Sequence, residues 1–544
     1  MNQKKKITYI ATILVILVSC VIGFNSLNPS KPNYDDSSKT MVQNQREHIN
    51  NIAQEPHSVF DLEAKEKVKN YLMDELRELG IEPKTYKYED IYEGRSESLI
   101  DLENIYGEIK GESDSYILLA THYDSSHAKK ERYAERDGSL GAADAGYALS
   151  TILDTLRAIK ENNVPLKNGI KVLFTDGEEY GLLGAKEAVK ESEVFENVNF
   201  VINIEARGTE GPAVMFETSP NNKAVMDLYK ASKSSFSYSL TPEVYRLLPN
   251  ATDFTVFLQN NLTGINISVL DGLENYHTPD DKPENLSDKS LQHYGDQVLP
   301  IVTEFVSNEK YSDPENLKGE DDSIFFVIGN LFIEYSKTTN FILLAVILAL
   351  IAYLYKALKV KSAVKVLKYV LINVGFTVAS MAVGYGVSRV AAMVNGREFK
   401  LTYLPLIKFE GVMFITVMLL ALVGFIFTIK KASKNFAEKN EFIIGSLVLL
   451  LILSVVLTFA LPGASYVTVI PALLVAIFAT LRQVLRNVKF INLILLVPVA
   501  LIIILYVPMI YLFNAALTFG ALAANMLFVM IAYMAVVSGL MSME

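Results

Sequence analysis

The sequence predicts an α/β domain with a mostly parallel central sheet flanked by helices, joined to an all-α multi-span membrane domain. Three observations carry this. Between residues 41 and 310, short apolar runs of the buried-strand type alternate with segments of helical periodicity. From about residue 339 the chain is dominated by seven long apolar runs, each able to cross ~30 Å at ~1.5 Å per residue. Charge divides in the same place: residues 31–320 hold 30 Lys+Arg against 52 Asp+Glu, and residues 321–544 hold 17 against 8.

The composition also excludes. A front half this acidic argues against nucleic acid as a partner, because a phosphate binder needs a basic face. With one cysteine, Cys20, in 544 residues, structural disulfides and cysteine-based zinc sites are ruled out. Any metal must be held by His, Asp and Glu, and there are six histidines.

Residues 1–24 read as an N-terminal signal anchor. Lys4, Lys5 and Lys6 precede an uncharged run from Ile7 to Phe24, and such lysines stay cytoplasmic, so the chain beyond the run is exported. Leu17-Val18-Ser19-Cys20 resembles a bacterial lipoprotein cleavage box, but the apolar run continues past it, which favours an uncleaved anchor. Residues 25–40, rich in Ser, Asn, Pro and Asp, suit a linker. Within 41–310, Asp61 to Leu79 has apolar residues at helical spacing and stops at Gly80. Strands are expected at 116–120, 170–174 and 198–204, with helices at 142–160 and 182–191 between them. Residues 311–338 are read as a linker whose apolar patch, 324–336, is interfacial. The membrane domain, 339–544, has spans near 339–355, 369–394, 409–429, 442–461, 464–481, 490–511 and 516–538. Loop 356–368 holds five lysines, 430–441 four, and 482–489 holds Arg482, Arg486 and Lys489, while 395–408 holds three basic residues and 461–464 none. The bias places the richer loops in the cytoplasm and, like the N-terminal lysines, the domain 41–310 outside.

In a parallel sheet, ligands gather at the carboxyl ends of the strands. The residues there are Thr121-His122-Tyr123-Asp124, Gly141-Ala142-Ala143-Asp144, Thr175-Asp176-Gly177-Glu178-Glu179, Asn203-Ile204-Glu205-Ala206-Arg207 and, near the domain's end, Tyr276-His277-Thr278-Pro279-Asp280-Asp281. Imidazole and carboxylate at such positions are the donors a hydrolytic zinc pair uses. Singly, each has an ordinary structural reading: a hydrogen-bonded His, a solvated acidic pair, or an Asp capping the following helix. Order and placement together outweigh those readings. His48, His57, His127 and His293 lack such a setting and read as surface or structural.

The ordered motifs THYDS (121–125), GAAD (141–144), DGEEYGLLGA (176–185), NIEARG (203–208), PNATDF (249–254) and ENYHTPDD (274–281) resemble the M28 family of zinc aminopeptidases, in particular its membrane-embedded branch of vacuolar and endoplasmic-reticulum metallopeptidases. The resemblance implies a zinc-exopeptidase fold and two Zn2+ ions about 3.5–4 Å apart. His122 and Glu205 would bind one ion, Glu179 and His277 the other, and Asp144 both. Asp124 would orient His122, and Glu178 would act as general base. The implied activity is removal of N-terminal residues from peptide substrates, by a protein anchored in the lipid bilayer, with the bacterial cell membrane as the expected location. Ala145 departs from the Asp or Asn common after the bridging Asp, and Glu205 stands where many members have Asp. Arg207 and Asp253 lie in matching motifs, Arg207 as a candidate for a substrate carboxylate or an internal ion pair. Alternatives are a carboxypeptidase, a glutaminyl-cyclase-like enzyme using one zinc, a catalytically silent receptor-like or scaffolding domain, and a transport role for the bundle. The last is disfavoured by the scarcity of mid-span charge. Asn250, Asn261, Asn266 and Asn285 begin glycan-acceptor triplets, relevant only to a eukaryotic secretory route. The oligomeric state is not legible.

Overall fold

The computed structural model describes residues 3–543 except 29, 95, 128–137, 403, 405–406, 486, 489–490 and 495, with the side chains of 3–9 left aside; Arg486 and Lys489 of the last basic loop lie outside the described residues. The chain forms two compact units, residues 28–323 and residues 1–27 with 324–544.

The first unit is built on a seven-stranded mixed sheet: β1 (Lys84–Glu93), β2 (Ser98–Ile109), β3 (Tyr116–His122), β4 (Gly169–Thr175), β5 (Val198–Ala206), β6 (Val214–Thr218) and β7 (Gly264–Val269) in the order β1-β2-β4-β3-β5-β7-β6. β4, β3, β5 and β7 run parallel, whereas β1, β2 and β6 join antiparallel. β3, β4 and β7 are buried along their whole length, which is why two of them read as continuous apolar runs. β1 is an edge strand, half-exposed and carrying Lys84, Lys87, Glu89 and Asp90, the charged edge that discourages pairing with another chain.

Helices Val42–Ile52, Leu62–Glu78, Gly146–Glu161 and Asp288–Ser307 flank the sheet. Gly146–Glu161 buries 13 of its 16 residues, among them Ser150, Thr151, Asp154 and Thr155, so it is covered almost all round. The helix expected at 182–191 is shorter, Leu183–Ala188, followed by a single turn at Ser192–Phe195. Residues 30–40, expected as a loose linker, are fastened to this unit instead. Ser30 donates to Asp296 (2.7 Å), the Asn33 N–H to Gln292 (2.8 Å), and Arg157 to the carbonyls of Ser37 and Lys39. Polar composition suits a tether only when its groups find no partners, and here they do.

Among the described residues of the second unit, seven helices are long and apolar enough to cross a membrane: Lys337–Ala357, Ala363–Val394, Glu410–Ala432, Lys439–Ala460, Pro462–Val484, Ile491–Leu517 and Phe519–Met543. The N-terminal helix Gln3–Asn25 packs on Leu496–Leu517, where Gly23 faces Val507 so closely that a Cβ would stand 2.9 Å from it. Small residues at such crossings let helix backbones approach. Buried polar pairs bridge other helices, Asn340–Thr458 at 2.8 Å, Asn373–Ser446 at 3.0 Å and Ser454–Thr468 at 2.9 Å. Lys365 and Lys368 reach Glu438, and Asn440 reaches the Leu358 carbonyl, so the two lysine-rich loops share one end of the bundle. The apolar patch at 324–336 is a two-stranded sheet, β8 (Ser323–Ile328) and β9 (Leu331–Ser336), with Phe326 stacked on Tyr466.

Candidate metal centre

The four parallel strands end on one side of the sheet, and the residues singled out from the sequence lie there. In the β3/β5 register Ala120 stands opposite Asn203. Carried on by two residues, that register brings His122 beside Glu205. Glu178 and Glu179 follow β4, and Asp144 precedes the helix Gly146–Glu161 after the Asp144–Ala145 peptide, which is cis. His277 comes from the segment after β7, its backbone left-handed at φ +57°.

Two groups of potential ligand atoms result, each within 4.8 Å: His122, Asp144 and Glu205, and Asp144, Glu179 and His277. Asp144 is common to both. Its Oδ1 lies 3.2 Å from His122 Nε2 and its Oδ2 3.3 Å from His277 Nε2. His122 Nε2 is 3.6 Å from Glu205, and His277 Nε2 is 2.9 Å from Glu179. The helix-cap reading of Asp144 is not realised, since no side chain caps that helix. Glu178, half-buried, belongs to neither group. Asp124 lies under the site. Its main-chain carbonyl takes the short contact with His122 Nδ1 (2.9 Å), and its carboxylate stands at 3.5 Å from the same nitrogen. The carboxylate's oxygens accept instead from the N–H groups of Glu178 (3.1 Å) and Glu179 (3.4 Å). Its reach is therefore wider than the orientation of one imidazole.

Electrostatically the centre is overloaded with negative charge. Burial pushes Glu205 up to about 8, against the pull of His122, and Glu179 up to about 7, against His277. Glu178 is raised well above the usual range by burial and then by Glu205. Asp144 goes the other way: burial would raise it, but the two imidazoles hold it low. His122 is raised despite burial, by Asp124 and Asp144. Buried carboxylates in this number call for positive charge. Imidazole nitrogen with carboxylate oxygen, and no thiolate, is a donor set that suits zinc. By that chemistry the residues fit a metal pair.

Other residues surround the site and, apart from Arg207 and Asp253, were not singled out from the sequence. Asp281, fully buried, accepts from the N–H of Ala143 (2.6 Å) and Asp144 (3.3 Å) and from Ser139 (3.1 Å). Tyr294 donates to the Glu205 carbonyl (2.6 Å) and accepts from the Val269 N–H (2.7 Å), tying the ends of β5 and β7. Lys65 pairs with buried Asp176 at 2.6 Å behind the β4 loop. Asp253 accepts from Thr175 at the end of β4. Arg207 lies one residue past β5, within electrostatic reach of Tyr245 and Tyr276. The four remaining histidines are elsewhere. His48 bonds Tyr71, His57 the Glu55 carbonyl, His293 the Ala213 N–H and the Ser234 carbonyl, and His127 faces Phe60.

Residues 104–302 match the family model described as Peptidase family M28, the family the motifs resemble, and the seven residues from His122 to His277 fall inside the match. A putative endoplasmic reticulum metallopeptidase 1 of Schizosaccharomyces pombe is 31% identical over 230 residues, covering 42% of this chain and 26% of that protein. A vacuolar membrane protease of Candida dubliniensis is 26% identical over 298 residues, covering 53% of this chain and 30% of that protein. A solved Zn-dependent exopeptidase of Parabacteroides distasonis is also similar, with 20% identity and a TM-score of 0.39, over 50% of this chain and 99% of that one. The chain thus spans between 26% and 30% of the length of these two curated relatives.

Proposed function

From a chain whose residues 104–302 match the M28 peptidases and whose described residues include seven helices long and apolar enough to cross a bilayer, we propose a membrane-anchored di-zinc aminopeptidase. The observation that carries this reading is the pair of ligand groups sharing Asp144. His122 and Glu205 would hold one ion, Glu179 and His277 the other, and Asp144 both. Zinc in such a site supplies Lewis acidity, polarising a carbonyl and acidifying water. Glu178 stands outside the ligand groups, so its carboxylate is available to take the proton from the attacking water and return it to the leaving amine. Asp124 fixes the 178–179 backbone and braces His122, keeping base and ligands in one frame. A free substrate amine would meet acidic side chains at the centre, which favours cleavage at the N-terminus.

The lysine-rich loops, together at one end of the bundle, support a cytoplasmic position for that end and an extracytoplasmic peptidase unit. The two curated relatives are eukaryotic, so assignment to the bacterial cell membrane rests on the Leu17–Cys20 box and the cysteine-poor sequence alone.

The test is metal analysis of the full-length protein in detergent together with a panel of aminoacyl and N-blocked peptide substrates. Two zinc ions per chain and hydrolysis of unblocked substrates only are expected. Glu178→Ala should lower turnover by about 100-fold or more and leave zinc content near two. Absence of zinc, or undiminished turnover in the variant, overturns the assignment.

A further inference from the structure

A line of buried polar side chains runs from Glu205 away from the metal centre. Asn203 Nδ2 donates to Glu205 Oε1 (2.9 Å) and to Asn266 Oδ1 (3.1 Å). Asn266 Nδ2 in turn donates to Glu217 Oε2 (3.2 Å) and to Thr252 Oγ1 (2.9 Å). Both asparagines are fully buried and Glu217 nearly so. The line crosses three neighbouring strands, β5, β7 and β6.

Its two ends are carboxylates, which in their ionised forms set its direction. An ionised carboxylate only accepts, so Glu217 in its ionised form requires the amide nitrogen of Asn266 to face it. The oxygen of Asn266 then faces Asn203 and demands the nitrogen of that amide. The Asn203 nitrogen consequently lies between Asn266 and Glu205 and gives one N–H to each. Reversing Asn203 would set oxygen against oxygen at two contacts, and reversing Asn266 would set oxygen against oxygen at Glu217 and nitrogen against nitrogen at Asn203. Asn203 keeps this orientation although its own Oδ1, buried, has no hydrogen-bond partner. With Glu205 Oε1 held in this way, Oε2 is the oxygen left toward His122 Nε2.

We propose that Glu217 and Asn266 are remote positioning residues which, through Asn203, set the orientation of Glu205 and thereby the metal affinity of the His122–Asp144–Glu205 site. Neither touches the ligand group, and the sequence assigned them nothing beyond a possible glycan on Asn266. That triplet is corrected by the fold, because Asn266 is buried within β7 and open to no transferase. The inference rests on the di-zinc reading and adds to it.

The test exploits the direction of the line. Asn266→Asp alone sets two carboxylates face to face at the Glu217 contact. Adding Glu217→Gln restores a donor there, with the net charge unchanged and moved by one residue, while the new carboxylate still accepts from Asn203. Zinc affinity is read by titration with a competing chelator on the full-length protein, with circular dichroism as the check on folding. Asn266→Asp should weaken one of two zinc ions about 10- to 100-fold, the usual range for groups that support a ligand. The double variant should recover most of that loss. Asn203→Leu, which removes the last donor, should resemble the single variant and gain nothing from Glu217→Gln. A folded Asn266→Asp protein with wild-type affinity at both sites, or a double variant no better than the single, overturns the proposal. If Asn266→Asp fails to fold, the comparison of Asn203→Leu with the double variant decides it, equal affinity being the refuting result. Wild-type protein that binds no zinc would instead refute the metal reading itself.

Discussion

Removing the Asp281 carboxylate should loosen the loop that presents Asp144. In the native structure this side chain accepts two main-chain N–H bonds and one hydroxyl bond, all within buried surroundings. Asp281→Ala leaves the N–H groups of Ala143 and Asp144 without an acceptor, and an unmet buried donor costs about 1–3 kcal/mol. The Ser139 hydroxyl can rotate to another partner, so we count only the two amides, about 2–6 kcal/mol. Asp281→Asn keeps one carbonyl oxygen and should lose about half as much. The assay is amide hydrogen exchange by mass spectrometry on full-length protein, following the peptide that spans residues 139–147. At about 1.4 kcal/mol per tenfold, the lower bound for Asp281→Ala predicts exchange about 30-fold faster in that peptide. Peptides from β1 and β2 should be unchanged. The order should be Ala above Asn above wild type, and bound zinc should weaken in parallel. Exchange within about twofold of wild type in a folded Asp281→Ala protein would refute the reasoning, because the loop would then hold its shape without this acceptor.

Three further outcomes are expected. His277→Ala should lower zinc content below that of wild type by elemental analysis, and an unchanged stoichiometry removes His277 from the ligand set. His293, held near 4 by burial, binds its proton in the unfolded chain near the ordinary ~6.5 but not in the folded one. Folding stability should therefore fall as pH drops from about 6.5 to about 4 and level off below. His293→Gln should flatten that slope in chemical-denaturation series, and an unaltered slope would show that other groups produce it. A protease added outside intact cells should cleave within residues 41–310, whereas protection of that stretch would reverse the orientation.

How much was legible depended on which surfaces are buried. β3, β4 and most of β5 are covered on both faces, so their apolar runs are continuous and visible. β1 is half-exposed and alternates Lys and Tyr with a single aliphatic residue, and β2 breaks its aliphatics with Asp101, Glu103, Asn104 and Glu108, which hid two long strands. β7, though buried, carries Asn266 and Ser268 inward and reads as polar. The candidate ligands were legible because the strand-end position and the residue type coincide. Asp281 was not, since its partners are main-chain N–H groups that leave no mark in the sequence. The Asn203–Asn266–Glu217 line was hidden for a related reason: it crosses between strands, and its logic lies in the register.

Glu178 and Glu179 are neighbours of one residue type, yet the fold gives them different surroundings. Gly177, at φ +75°, turns the chain into a left-handed conformation that a side chain would strain. The next two N–H groups then converge on the two oxygens of Asp124. The Glu178 carbonyl closes the turn by accepting from Gly181 and Leu182. With the backbone clamped, Glu179 reaches His277 at 2.9 Å, while Glu178 keeps Glu205 as the neighbour that raises it most. Glu179 thus has an imidazole at bonding distance that favours its charged form, whereas at Glu178 burial and Glu205, against the pull of His122, favour holding a proton. A ligand needs the first condition and a proton carrier the second. The division of labour proposed for the pair therefore originates in Asp124, two residues beyond His122, rather than in any difference between the glutamates themselves.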